Sequence, residues 1–81
     1  MSHVPHDLPE MLELSAADLN TRLEGDQHLA RLAERYRELN REIHRAETDV
    51  EPTSDDHLHE MKKERLSLLD TLRHGLVEAS A

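Results

Sequence analysis

Asp56, His57, His59 and Glu60 form the densest group of side chains able to hold a metal, in a chain of 81 residues with seven histidines. Imidazole with carboxylate suits zinc, nickel or copper. Two histidines on a helix reach one ion when they stand four apart. His57 and His59 stand two apart, which puts them on different faces, and no two histidines of the chain have the four-residue spacing. They read as surface histidines. Met1, Ser2 and His3 offer copper a terminal amine and an imidazole, a combination that arises readily by chance. No metal and no cofactor are expected.

Lys62, Lys63 and Arg65, with Arg73 two turns on, are the basic cluster of the last third. Such a group suits a phosphate or an acidic partner. A single-strand binder also needs aromatic platforms on which bases stack, and Tyr36 is the only aromatic residue. The net charge of −8 works against binding to phosphate backbones and anionic membranes. It is unevenly spread: −5 over residues 1–30, balanced over 31–50, and −3 over 51–81. Its ordinary effect is solubility. A small nucleic-acid-associated or regulatory protein using Lys62, Lys63 and Arg65 is the alternative reading of function. Catalysis has no visible equipment here. There is no cysteine nucleophile, no glycine-rich phosphate loop and no serine elbow, so no enzyme is expected.

The elements that must carry these residues are helices. Fourteen leucines, one aromatic residue and 35% charged residues favour an all-α chain. Leu29, Leu32, Tyr36, Leu39, Ile43 and Ala46 follow alternating spacings of three and four, the stripe of a helix that buries a narrow seam against another. Around it, Arg31, Glu34, Arg37 and Arg35, Glu38, Arg41 make i,i+3 ladders worth about 0.2–0.5 kcal/mol per pair. This helix is expected from Gln27 to about Thr48. A turn follows through Asp49, Val50, Glu51, Pro52 and Thr53, because Pro52 disfavours helix at Glu51. Ser54 then caps a last helix over Asp55 to Leu76, with Gly75 marking its fraying end.

Upstream, Leu12, Ala16, Leu19 and Leu23 share a face, and Ser15 with Asp18 reads as a start signal. The heptad phase slips by one residue at Gly25-Asp26. Glycine ends helices and aspartate caps them, so a break is expected there, the alternative being one continuous helix. Residues 1–14 read as loosely ordered, 15–25 as a short helix, 26–78 as a hairpin and 79–81 as a tail. The opening ten residues have no apolar core or basic flank of a secretory signal, and no run is long enough to span a membrane. A soluble cytoplasmic protein is expected.

The short connection makes the long helices antiparallel neighbours. Ala46 should face Leu58, Ile43 face Met61, Leu32 lie near Leu72 and Leu29 near Leu76, with Tyr36 by Leu68 or Leu69. Leu39 then meets Arg65, a charge on an otherwise apolar seam. Its stem packs while its head snorkels, or it fixes register through Glu38 or Glu42. Glu42 lies beside Lys62 in the same register. Leu66, Leu69 and Leu76 form a second apolar edge that one hairpin leaves open, a candidate interface. The N-terminal segment can fold over it, or a second copy can. A homodimer of two hairpins in a four-helix arrangement is favoured, since small cores need such support.

Residues 26 to 76 bear a resemblance to a known family. Asp26-x-His28-Leu29-x-x-Leu32, Tyr36-x-x-Leu39-Asn40-x-x-Ile43-x-Arg45-x-Glu47, Ser54-Asp55-x-x-Leu58 and Met61-Lys62-Lys63-x-Arg65-Leu66-x-Leu68-x-Asp70 together resemble the YdcH-like proteins. These are small bacterial helical proteins with a domain of unknown function. The resemblance implies a helical hairpin in a bacterial cytoplasm and no established activity or ligand. Two positions depart from it: Leu29 stands where the family usually has Phe, and Leu69 where it usually has Lys. The function expected is non-enzymatic helix–helix contact, with itself and with a larger protein.

Overall fold

In a computed structural model of the protein, which describes residues 6–48 and 53–78, four helices follow one another. They are α1 (Leu8–Leu12), α2 (Ala16–Glu24), α3 (Gln27–Glu47) and α4 (Asp55–Leu76). The turn residues Asp49, Val50, Glu51 and Pro52, the Met1-Ser2-His3 motif and the tail 79–81 lie outside the described residues.

Three side chains start the main helices. Ser15 Oγ accepts from the Asp18 amide at 3.0 Å, Asp26 Oδ1 from the Leu29 amide at 3.1 Å, and Ser54 Oγ from the His57 amide at 3.1 Å. Each satisfies an amide that the helix itself leaves without a partner. The phase slip at Gly25-Asp26 is a true break: Gly25 closes α2 and Asp26 opens α3.

α3 and α4 pack antiparallel and carry the main helix–helix interface. Leu29, Tyr36, Leu39, Ile43, Met61 and Leu72 are buried along it, while Leu32, Ala46, Leu58 and Leu68 are half-buried. At Gly75 α4 lies tight against a side chain of α3. A Cβ built there would lie 2.8 Å from Leu29 Cδ1. Gly75 stands in the last turn of α4, one residue before its end at Leu76, and its missing side chain admits Leu29.

Within the segment 1–14, read from the sequence as loosely ordered, residues 8–12 form a helix. Leu8 and Leu12, four apart, form the buried stripe of α1, with Pro9 in its first turn, where a missing N–H costs nothing. Five residues cannot hold a helix alone, so α1 exists because it docks. It ends on Glu13, which adopts the left-handed conformation at φ 57°. The Glu13 amide bonds the Glu10 carbonyl at 3.1 Å, and the Leu14 amide bonds the Pro9 carbonyl at 2.9 Å. This is the Schellman arrangement, which favours glycine. Glu13→Gly is therefore expected to stabilise the protein by about 0.5–1 kcal/mol in urea denaturation.

Candidate functional site

α1 and α2 lie over the edge of α4 that the sequence leaves open. Leu8, Leu12, Leu19 and Leu23 form one buried cluster with Leu29, Ala33, Tyr36, Leu69, Leu72 and Leu76. The expected interface of Leu66, Leu69 and Leu76 is corrected accordingly: Leu69 and Leu76 are only 5% and 3% exposed, and Leu66 alone stays open at 60%. The chain covers its own edge. A lysine at position 69 would put a charge into this cluster, so the leucine there fits the cover of α1 and α2.

Three hydrogen bonds tie the N-terminal segment down. Tyr36 Oη donates to the His6 carbonyl at 2.5 Å. Arg73 Nη2 donates to the Met11 carbonyl at 2.9 Å, in the last turn of α1, and Arg22 Nη1 donates to the Leu76 carbonyl at the end of α4. Both arginines thereby place positive charge at the negative end of a helix.

The expected polar pairs take other partners. Lys62 Nζ meets Glu47 Oε2 at 2.8 Å rather than Glu42. Arg65 Nη1 donates to Asn40 Oδ1 at 3.0 Å, and Glu38 turns to Arg35 on its own helix at 3.5 Å. Arg35 in turn reaches Glu64 across the helices at 2.8 Å. The backbone register is as expected, but a long side chain reaches a turn either way along the partner helix. Hydrogen bonds from Lys62 and Arg35 hold Glu47 and Glu64 below the usual glutamate value. These pairs are exposed and contribute little each, less in salt.

Asn40 is 7% exposed and sits between the long helices, one position beyond Leu39. The sequence analysis has Asn40 only as part of the family resemblance and gives it no role, although a buried asparagine between helices is a known register device. Arg65 thus meets an amide on the seam rather than Glu38 or Glu42. A double-mutant cycle over Asn40→Ala and Arg65→Met should give a coupling of about 0.5–3 kcal/mol. A cycle over Glu38 and Arg65 should give none.

Burial pushes the Tyr36 hydroxyl above its ordinary value of 10.0, with Asp7 adding to the rise and Arg65 opposing it. The folded state therefore holds this proton more tightly than the unfolded chain. The stability that Tyr36 contributes in this way is fully present below pH 10 and is lost as pH rises from there through the folded value. Thermal melts between pH 9 and 11.5 should show the decline, and Tyr36→Phe should flatten it while costing about 1 kcal/mol at pH 7 for the lost bond to His6.

These placements disperse the basic cluster. Lys62 is paired, Arg73 is engaged with α1, Lys63 is exposed, and Arg65 sits half-buried against Asn40. His57 and His59 are exposed, and among the described residues no three His, Asp or Glu side chains gather as a metal site would require. A notch of about 280 Å³ lies beside Leu66, lined by His6, Met11, Tyr36, Lys62, Arg65 and Leu69 as well, and another of about 330 Å³ lies on α3 at Ala30, Arg31, Glu34, Arg35 and Glu38.

The family model described as a protein of unknown function (DUF465) matches residues 29–74, more than half of the chain. The protein belongs to this family, the one that includes the YdcH-like proteins. The matched residues cover most of α3 and α4 and stop short of α1 and α2. None of the curated proteins and none of the solved structures is significantly similar to it. Among the described residues no helix is long and apolar enough to cross a membrane.

Proposed function

We propose that this is a non-enzymatic helical-hairpin protein of the cytoplasm that acts by binding another protein through the outer face of α4. The observation that carries the reading is Leu66. It is the one exposed large apolar side chain among the described residues, and it stands on the longest helix directly after Arg65 and one turn after Lys62 and Lys63. A lone exposed leucine is ordinary on a folded surface; what marks this one is the notch of about 280 Å³ that it lines with Lys62 and Arg65. The self-association expected from the sequence used Leu66, Leu69 and Leu76 as one edge. With two of the three covered by α1 and α2, the reading takes the protein as a monomer, and light scattering at micromolar concentration should give about 9.4 kDa. A photo-crosslinking residue at position 66, expressed in the protein's own cells, should give a discrete adduct that the same residue at Arg31 on α3 does not. Identical adducts from both positions, or none from either, would overturn the reading.

A further inference from the structure

We infer that the face of α4 under α1 and α2 also receives those helices from a second copy of this chain. The break at Gly25-Asp26 opens, α2 and α3 join into one helix, and residues 6–24 dock on the hairpin of another molecule, which docks its own in return. The product is a domain-swapped dimer. The surface used is Leu69, Leu72 and Leu76, which the same helices cover within one chain, and Leu66 lies outside it.

Very little backbone change separates the two forms. Gly25 stands at φ −84°, ψ −4°, still in the right-handed helical region, and Asp26 alone departs, at φ −150°, ψ 102°. The amides of Gly25 and Asp26 already bond the Arg22 and Leu23 carbonyls at 3.3 and 3.1 Å, and the Asp26 carbonyl accepts from the Ala30 amide at 3.0 Å. Turning Asp26 to helical angles carries the ladder through. The Gln27, His28 and Leu29 amides then gain the carbonyls of Leu23, Glu24 and Gly25. What holds the break is the Asp26 cap on the Leu29 amide, together with the docking itself.

The path of the chain says where the freed segment goes. Arg22 bonds Leu76 beside the start of α3, and Tyr36, halfway along α3, bonds His6. The segment therefore runs back along the hairpin, opposite in direction to α3. A straightened α2 points the other way, off the end of its own hairpin, where another molecule can receive it. Leu19, Leu23, Ala30 and Ala33 then share one stripe, at spacings of four, seven and three. All four belong to the covered cluster, so the joined helix keeps a single apolar face. A second molecule related by two-fold symmetry runs its α3 antiparallel to the first, the same relation that the segment has to α3 within one chain. The bonds of Arg22 to Leu76, Arg73 to Met11 and Tyr36 to His6 all re-form between chains, because each joins a residue before the break to one after it.

The test is the double variant Gly25→Ala, Asp26→Ala. A methyl group at position 25 meets the Arg22 carbonyl at an ordinary 3.7 Å, so the closed form has room for it. The pair raises helix preference across the break and removes the cap. Light scattering should give twice the 9.4 kDa of one chain at a micromolar concentration where the wild type is monomeric. In a sample mixed from differently leucine-labelled chains, cross-peaks from the Leu19 and Leu23 methyls to Leu72 should arise between chains. Inserting Gly-Ser-Gly-Ser after position 25 of the double variant should restore the single-chain mass, since a flexible connection lets the segment fold back. A double variant that stays monomeric with wild-type helicity would overturn the inference. So would a dimer whose Leu19–Leu72 cross-peaks arise within one chain, or one that survives the insertion. If the double variant loses helix, the wild type decides, held at millimolar concentration near its melting midpoint and then cooled. A fraction at twice the mass that persists on dilution is expected, and its absence would overturn the inference as well.

Discussion

Replacing Leu72 by Ala should cost about 2–5 kcal/mol, the range for truncating a fully buried leucine whose surroundings relax only in part. Leu72 is completely buried in the cluster that joins α1 and α2 to the hairpin. An 81-residue domain has on the order of 4–12 kcal/mol in all. The substitution therefore removes a large fraction of the total. The melting midpoint should fall by at least about 8 °C, since 1 kcal/mol moves a domain of this size by roughly 4–8 °C. Leu66→Ala on the same helix is the control. Its side chain is mostly in water, and its midpoint should shift by no more than about 0.5 kcal/mol in equivalent stability. Equal losses at positions 66 and 72 would contradict the burial pattern on which the site rests.

Leu19→Asp should release the cover. Leu19 is fully buried in α2, and a carboxylate there would leave water for a cluster of leucines. The penalty, about 3 kcal/mol or more, falls on the segment that is held by few apolar anchors, α1 and α2, before it falls on the long helices. α3 and α4 carry their own seam of Leu39, Ile43 and Met61, a second buried cluster that Leu19 does not touch. Circular dichroism should show most of the helical signal retained. Leu69, Leu72 and Leu76 are then open to water, and the mass by light scattering should rise from about 9.4 kDa to twice that value or more. A variant that keeps the wild-type mass and amide protection in residues 8–24 would show that the N-terminal helices do not serve as a cover.

The parts of this fold that are local in origin were readable from the chain. Ser15, Asp26 and Ser54 announce helix starts because a short polar side chain followed by an apolar stripe has few other uses. The short turn predicts Leu29 near Leu76, and Leu29 meets α4 at Gly75, the residue next to it. The rest depends on distance in sequence. α1 has one turn and a single i,i+4 pair, too short for a periodic signal, and its partners Leu69 and Leu76 lie more than fifty residues away. The open edge of α4 was therefore visible, as was the possibility that the N-terminal segment folds over it, but the choice between that segment and a second copy was not. The polar pairs failed for a different reason. Spacing sets where backbones meet, whereas Lys62 and Arg65 select partners by side-chain reach, and Asn40 offered Arg65 an acceptor inside the seam where Glu38 offered one at its rim.

That choice of cover decides which surface is left for a partner. The most direct measurement is a methyl–methyl NOE spectrum of leucine-labelled protein. Methyls of Leu8, Leu12, Leu19 and Leu23 should show cross-peaks to those of Leu69, Leu72 and Leu76 that persist on dilution and arise within one chain, while Leu66 shows none to them. Cross-peaks found only between differently labelled chains in a mixed sample, or missing altogether, would contradict the account.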